Sequence, residues 1–261
     1  MIIIDEQIEH DIPFLHIVKD ENKEKPLPLV FFIHGFTSAR EHNLHFAFHL
    51  AEKGMRVILP DCAYHGVRSE NLRLEELAAK FWEIVLNEIR EIDILKTHFQ
   101  EKQLIEDHLI GVVGTSMGGI TTFGALAKHD WIKAAVSLMG SPKYTTFLKA
   151  QIMDMRHKGL MKEITDEEVN QQLDALRPYD LTLQQDRLNK RPLLFWHAEN
   201  DPVVPYRHAK TFYDELTATQ YEQHPHLIRF VTDKQAGHKV TRQAMFETID
   251  WFVTHLKNTN V

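Results

Sequence analysis

The chain has 261 residues, of which 43% are hydrophobic, enough to bury the core of one enzyme-sized domain. Its formal net charge of -7 comes without a basic run, which argues against nucleic acid or an anionic membrane as partner and favours a small molecule. Cys62 is the only cysteine, so no intramolecular disulfide can form, and we expect it to be a small buried residue. No signal-peptide pattern or membrane-spanning run is present, and we expect a cytoplasmic protein.

Short apolar runs alternate with longer amphipathic segments along the chain. The predicted strands are 2–4, 12–18, 29–33, 56–59, 109–113, 134–138, 193–196 and 227–231, and the predicted helices are 41–53, 74–99, 117–128, 207–217 and 240–256. The first two strands favour an antiparallel edge. The alternation that follows predicts an α/β fold, a mostly parallel sheet flanked by helices on both faces.

The interval from Pro142 to Lys190 is too long for a simple connection and contains helical patterns. We therefore predict a single domain with a core of about 1–141 and 191–261 and an inserted helical cap of about 142–190. Met153 and Met161 belong to an apolar stripe in this insertion. They could shape an adaptable acyl pocket, and packing of a helix on the core would explain them as well.

One serine stands in a context that favours catalysis. Residues 114–118 read GTSMG, a G-x-S-x-G pattern between a predicted strand and a predicted helix, which is the setting of a nucleophile elbow. Gly114 and Gly118 leave room for a turn that lifts the Ser116 hydroxyl above the sheet edge. A glycine-rich turn that only packs closely would have the same pattern, so the interpretation depends on partners for Ser116.

A serine hydroxyl needs a base to take its proton, and reacting groups of an open α/β sheet collect beyond the carboxyl ends of the strands. Among the 17 histidines, His238 follows the last predicted strand at that edge, whereas His224 and His226 precede the strand. His34 and His197 also end strands at the functional edge, and we expect structural or supporting roles for them. We predict that His238 is the base.

Two aspartates compete to orient that base. Asp201 follows the penultimate predicted strand in a loop stiffened by two prolines, and Asp61 also follows a strand. The chain order Ser116, Asp201, His238 is the order of the α/β-hydrolase triad, and it favours Asp201.

With these motifs the chain resembles the α/β-hydrolase family, over nearly its whole length. It looks closest to the small serine esterases grouped with dienelactone-hydrolase-like and prolyl-oligopeptidase-like members. The matching residues are His34-Gly35-Phe36, Gly114-Thr115-Ser116-Met117-Gly118, Asp201 with the sequence DPVVP, and Gly237-His238. The resemblance implies the α/β-hydrolase fold and an oxyanion hole made by the backbone N–H groups of Phe36 and Met117. It is incomplete, because a dienelactone hydrolase carries cysteine at the elbow and a prolyl oligopeptidase carries a large extra domain.

Other polar residues have weaker claims to a function. His65 and Arg68 follow a predicted strand at the functional edge, where substrate contact and structural hydrogen bonding explain them equally well. His42, His45 and His49 lie near one helix face, but no H-E-x-x-H pattern is present. We predict no metal site and no cofactor.

The sequence thus predicts a serine hydrolase, a carboxylesterase that cleaves a small-molecule ester through an acyl-enzyme on Ser116, His238 and Asp201. A peptidase, amidase or thioesterase could use the same residues, and a non-catalytic ligand-binding protein could share the fold. The physiological substrate, the acyl preference and the oligomeric state do not follow from the sequence.

Overall fold

The computed structural model describes residues 1–157 and 165–257, apart from the side chain of Asp107. The strands are β1 (Ile2–Glu9), β2 (Ile12–Lys19), β3 (Leu27–Ile33), β4 (Arg56–Pro60), β5 (Ile105–Thr115), β6 (Ala134–Leu138), β7 (Leu193–Ala198) and β8 (Ile228–Asp233). The α-helices of the described residues are α1 (Leu44–Glu52), α2 (Leu74–Ala79), α3 (Phe81–Glu101), α4 (Met117–Lys128), α5 (Tyr144–His157), α6 (Asp166–Leu176), α7 (Tyr206–Thr217) and α8 (Arg242–Phe252). None of these helices is long and apolar enough to cross a membrane.

All eight strands form one sheet in the order β1-β2-β4-β3-β5-β6-β7-β8. Strands β1 and β2 form an antiparallel hairpin, and β2 also pairs antiparallel with β4. Strands β3 to β8 run parallel to one another. The predicted antiparallel edge and mostly parallel sheet are therefore confirmed. In this arrangement the carboxyl ends of β3 to β8 share one edge of the sheet.

Alternating side chains of the central strands enter two separate cores. In β3, Leu29, Phe31 and Ile33 pack on the face covered by α3, α4 and α7, while Val30 and Phe32 face α1 and α8. Every one of these side chains is at most 1% exposed. A sheet buried on both faces explains why the sequence shows continuous apolar runs rather than alternation in its central strands.

Several predicted elements differ in extent from those observed. The first strand, predicted as 2–4, continues to Glu9, and the helices predicted as 41–53 and 240–256 are shorter, at Leu44–Glu52 and Arg242–Phe252. The predicted helix 74–99 is divided into α2 and α3 at Lys80, where ψ is 2° and the backbone leaves the helical conformation. Strand β5 begins at Ile105, four residues earlier than predicted in the polar stretch IEDH, because its backbone already pairs there with Leu27 of β3. Within the predicted cap, α5 and α6 are helical as expected.

Candidate active site

Ser116 lies in a sharp turn between the end of β5 and the start of α4. Its φ of 55° and ψ of -111° place a non-glycine residue in a strained backbone conformation. The turn requires the neighbouring glycines. A Cβ at Gly118 would lie 2.0 Å from the carbonyl oxygen of Ile33, and a Cβ at Gly114 would lie 2.3 Å from the backbone of Gly118. The elbow predicted from the G-x-S-x-G pattern therefore has its steric basis in these contacts.

The structure brings Ser116, His238 and Asp201 into one hydrogen-bonded chain. The Oγ atom of Ser116 lies 2.8 Å from Nε2 of His238. The Nδ1 atom of His238 lies 2.9 Å and 2.8 Å from the two carboxylate oxygens of Asp201. Since a carboxylate only accepts, Nδ1 carries the proton and Nε2 is left to accept from the serine hydroxyl.

The loop after β7 stabilises the ionised form of the Asp201 side chain. Its Oδ1 accepts hydrogen bonds from the N–H groups of Val203 at 2.8 Å and Val204 at 3.0 Å, and its Oδ2 lies 3.4 Å from Nε2 of His197. Burial of the carboxylate opposes its ionisation, but hydrogen bonds from His197, His238 and the two backbone amides outweigh burial and hold the pKa of Asp201 well below its usual range. Asp201 is thus ionised in the folded protein and can stabilise a positive charge on His238.

The loop after β8 presents His238 in a similar way. Asp233, at the end of β8, accepts hydrogen bonds from the N–H groups of Gln235 and Ala236, each at 2.8 Å. These bonds close a tight turn just before His238. The His238 side chain is 23% exposed, whereas the Asp201 side chain is fully buried. The imidazole can therefore exchange protons with a substrate or water, and the carboxylate behind it cannot.

Two backbone N–H groups next to Ser116 are available to a ligand. Met117 is the first residue of α4, and the first N–H groups of a helix have no partner within the helix. Among the described residues, nothing accepts a hydrogen bond from the N–H of Phe36. The loop that carries Phe36 passes close to the serine, since a Cβ at Gly35 would lie 3.7 Å from the Cβ of Ser116.

Strained backbone conformations recur at this edge of the sheet. One non-glycine residue with positive φ follows each of β3, β4, β5 and β6. They are Thr37 at 61°, Tyr64 at 63°, Ser116 at 55° and Met139 at 51°. Such conformations cost about 1–3 kcal/mol each and are typical of functional sites, where the surrounding structure imposes them.

A series of aromatic contacts extends from Phe36, in the loop that passes close to Ser116. The ring of Phe36 packs edge-on against Phe81, with centroids 5.7 Å apart, and Phe81 packs in the same way against Phe147 of α5 at 6.4 Å. Phe147 in turn contacts the ring of His208 at 6.1 Å. These residues come from the loop after β3, the start of α3, the predicted cap and α7, and they form an apolar wall that begins next to the serine.

Asp61, His65 and Arg68 each form hydrogen bonds within the protein. The buried Asp61 carboxylate accepts hydrogen bonds from the N–H groups of Arg40 and Val67, each at 3.1 Å. Arg68 binds the Glu91 carboxylate through both terminal nitrogens, at 2.7 Å and 2.8 Å. His65 is 3% exposed, and both of its ring nitrogens bond to the backbone. Substrate contact by His65 or Arg68 stays a prediction.

Met153, Met161 and Cys62 are the remaining residues that the sequence analysis singled out. Met153 of α5 is 72% exposed, and Met161 lies outside the described residues. Cys62 is fully buried as expected, and burial raises the pKa of its thiol. Across residues 1–157 and 165–257, no group of three or more His, Cys, Asp or Glu side chains is arranged to hold a metal ion.

Supporting roles were expected for His34 and His197, but their hydrogen-bond partners were not predicted. Nothing in the sequence connected His197 with Asp201, because their proximity depends on how the loop after β7 folds back. The spacing of four residues between them at a strand end was the available signal. The contacts of His34 and His65 join two loops that are 28 residues apart in the chain, and no local pattern predicts them.

The sheet order, the helices on both faces and the serine elbow at the carboxyl end of β5 define the α/β-hydrolase fold. A solved structure with this fold is the esterase Pf2001 of Pyrococcus furiosus, which is 17% identical and superposes with a TM-score of 0.63 over 98% of this chain and 93% of that chain. The predicted fold is confirmed.

Sequence comparison identifies the family within this fold. Residues 87–259 match the prolyl oligopeptidase family, and the chain belongs to that family. It is 52% identical over 98% of its length to the whole of "Putative esterase YitV" from Bacillus subtilis (strain 168). It is 31% identical, over the same share of both chains, to "Esterase YjfP" from Escherichia coli (strain K12). The comparisons identify the chain as a hydrolase.

Proposed function

We propose that the protein is a serine carboxylesterase that acts through an acyl-enzyme on Ser116. The observation that carries this proposal is the hydrogen-bonded chain in which Nε2 of His238 lies 2.8 Å from the Ser116 hydroxyl while Nδ1 contacts the buried Asp201 carboxylate. The distance lies within the range needed for direct proton transfer. The ionised Asp201 fixes the tautomer that accepts the serine proton.

In the first half-reaction, Ser116 Oγ attacks the ester carbonyl carbon while its proton moves to Nε2 of His238. The carbonyl oxygen becomes an oxyanion, which the N–H groups of Phe36 and Met117 bind. When the tetrahedral intermediate collapses, the bond to the alcohol oxygen breaks and that oxygen takes the proton from His238. The products of this step are a free alcohol and an acyl group on Ser116.

In the second half-reaction, a water molecule takes the place of the serine hydroxyl as the nucleophile. His238 takes a proton from the water as its oxygen attacks the acyl carbon, and the same two N–H groups bind the new oxyanion. Collapse breaks the bond to Ser116 Oγ, which recovers its proton from His238. A carboxylic acid leaves, and the enzyme returns to its starting state without a cofactor.

The class of substrate is inferred from the apolar wall and from the relatives. Phe36, Phe81 and Phe147 offer apolar surface next to the serine, and the nearby cation Arg68 is neutralised by Glu91. This environment favours an uncharged, apolar acyl or alcohol group over a charged one. The relatives at 52% and 31% identity both carry the word esterase in their names, which favours an ester over an amide.

Labelling and hydrolysis together test the proposal. A fluorophosphonate probe should label the wild-type protein and not a folded Ser116→Ala variant, and Ser116→Ala, His238→Ala and Asp201→Ala should each lower kcat for an ester by about 10³-fold or more. A panel of esters, thioesters and amides of graded chain length then identifies the preferred bond. Faster amide than ester turnover would favour the peptidase alternative. A folded wild-type protein that is neither labelled nor active would indicate a ligand-binding protein.

A further inference from the structure

Two loops meet beside the serine, and the contacts between them are directional. The oxyanion loop is residues 34–40, after β3, and the support loop is residues 61–68, after β4. The N–H of Cys62 donates to Nε2 of His34 at 3.1 Å, and the N–H of Thr37 donates to Nε2 of His65 at 3.0 Å. Each loop thus provides one histidine that accepts a backbone N–H of the other loop.

These contacts assign the protonation state of both rings. A backbone N–H can only donate, so Nε2 of each histidine must be unprotonated. The proton of each neutral ring therefore lies on Nδ1, which donates to the carbonyl oxygen of Gly35 in His34 and of Ala63 in His65, each at 2.8 Å. Burial lowers the pKa of His34 to about 4 and also lowers the pKa of His65, in agreement with two neutral rings.

The two histidines act on adjacent peptide planes. The carbonyl of Gly35 and the N–H of Phe36 belong to the same planar trans peptide, so they point in opposite directions. His34 holds that carbonyl, assisted by the N–H of Ser38 at 3.1 Å, and thereby fixes the direction of the Phe36 N–H. His65 holds the N–H of the next peptide, that of Thr37.

The hydrogen bond from Thr37 to His65 involves a residue in a strained backbone conformation. Thr37 has a φ of 61°, a conformation that a β-branched residue avoids unless its surroundings impose it. The hydrogen bond to His65 fixes the orientation of the Thr37 N–H and so restrains the φ angle of Thr37. The His65 ring also packs edge-on against the Phe36 side chain, with centroids 5.6 Å apart. Without His65, the peptide between Phe36 and Thr37 loses its only fixed hydrogen-bond partner on the N–H side within the described residues.

We propose that His65 is a positioning residue for the oxyanion hole, which together with His34 holds the Phe36 N–H in the direction that the transition state requires. This inference rests on the proposed function, because it assumes an oxyanion beside Ser116. It replaces substrate contact as the role of His65. With both nitrogens bonded to the backbone and 3% exposure, the ring acts through Thr37 rather than on a substrate.

The test compares His65→Leu with His65→Gln in the full chain. Leu removes the acceptor for the Thr37 N–H, whereas the Gln amide oxygen can restore it. For an ester that the wild type hydrolyses, His65→Leu should lower kcat about 10-fold to 100-fold with KM nearly unchanged, because a misdirected donor weakens binding of the transition state and not of the substrate. His65→Gln should recover most of kcat.

A trifluoromethyl ketone provides a readout that general loosening of the fold would not reproduce. Such a ketone forms a tetrahedral adduct with the serine, and this adduct bears an oxyanion. The Ki of the ketone should therefore rise in His65→Leu by about the factor by which kcat falls. The Ki of a matched alcohol that forms no adduct should stay constant. If His65→Leu does not fold, His65→Phe retains the ring volume without the acceptor and takes its place.

The outcomes separate this inference from the proposed function. Failure of the wild type to react with a fluorophosphonate would overturn the proposed function itself. With a labelled wild type, unchanged kcat and unchanged ketone affinity in the variant without the acceptor would overturn the role of His65. A rise in KM at constant kcat would also overturn it and would assign His65 to substrate contact. Equal defects in the Gln and Leu variants would show that the acceptor is not what matters.

Discussion

The nucleophile elbow and the oxyanion loop lie side by side, yet they are held in place by different forces. At the elbow, close packing excludes every alternative, because a side chain at Gly114 or Gly118 would overlap the backbone. In the oxyanion loop, the N–H of the strained Thr37 donates to His65 and the N–H of Arg40 donates to Asp61, while His34 of this loop accepts the N–H of Cys62. Ser116, the proposed nucleophile, is thus positioned by glycines that lack a side chain. The Phe36 N–H, the proposed oxyanion donor, is positioned by histidines that must be neutral.

The strongest way to break the oxyanion loop is to delete the donor itself. Phe36→Pro removes the N–H, whereas Phe36→Ala keeps it and serves as the matched control. Loss of one such donor should lower kcat by about 10²-fold to 10³-fold, and Phe36→Ala should change mostly KM.

Proline also restricts Gly35, so circular dichroism and thermal unfolding of both Phe36 variants are needed before their rates are compared. A folded Phe36→Pro enzyme with nearly wild-type kcat would remove Phe36 from the oxyanion hole.

The elbow is broken by adding a single methyl group. In Gly118→Ala the new Cβ would lie 2.0 Å from the Ile33 carbonyl oxygen, so α4 must shift and carry Ser116 with it. A displacement of about 1 Å should lower kcat about 10²-fold. Gly237→Ala is the matched control, because nothing lies within 4 Å of its added Cβ although it neighbours His238. Equal activity of the two variants would show that the elbow tolerates the methyl group.

The apolar wall can be probed by comparing a buried and an exposed residue of α5. Phe147 is 8% exposed and packs against Phe81, whereas Met153 is 72% exposed. Phe147→Ala should change the relative kcat/KM of short and medium acyl esters by about 1–3 kcal/mol, and Met153→Ala should have a smaller effect. The measurement is kcat/KM across a series of p-nitrophenyl esters. A uniform loss for all chain lengths would indicate damaged packing instead of a subsite.

A further prediction concerns stability rather than catalysis, at Glu88 of α3, next to Cys62 of the support loop. Burial and the neighbouring Glu91 carboxylate raise the pKa of Glu88 from 4.5 to about 8. Between these values the folded state holds a proton that the unfolded state has released, so this group lowers the free energy of unfolding as the pH rises from 4.5 to 8. Glu88→Gln removes that contribution.

Urea unfolding of both proteins at low and high pH checks the prediction for Glu88. The stability of Glu88→Gln relative to the wild type should improve as the pH rises from about 5 to about 8.5. A difference that stays constant or changes in the opposite direction would contradict the raised pKa.

The sequence predicts one of the two regions much better than the other. The elbow is encoded within five consecutive residues, since glycine marks positions where a side chain would collide. The chain order of Ser116, Asp201 and His238 then indicated which side chains would be hydrogen-bonded to one another. The supports of the oxyanion loop join residues such as Thr37 and His65, which meet only because β3 and β4 are neighbours in the sheet. Pairing between distant loops depends on topology, and no local periodicity reports it.

The same distinction explains the errors in element boundaries. Apolar runs predicted the centres of the strands, which lie in the two cores. The first residues of β5 were missed because Glu106 and His108 are exposed, and hydrogen bonding to β3 rather than burial makes this segment a strand.

The central claim is that Ser116 forms a covalent acyl-enzyme with the aid of His238. It is tested most directly by mixing the protein with an excess of a p-nitrophenyl ester, quenching with acid within milliseconds and measuring the intact mass and the modified peptide. We expect a mass increase equal to one acyl group, located on Ser116, and no such adduct in folded Ser116→Ala. An acyl group on another residue, or rapid wild-type turnover that persists in Ser116→Ala, would contradict it.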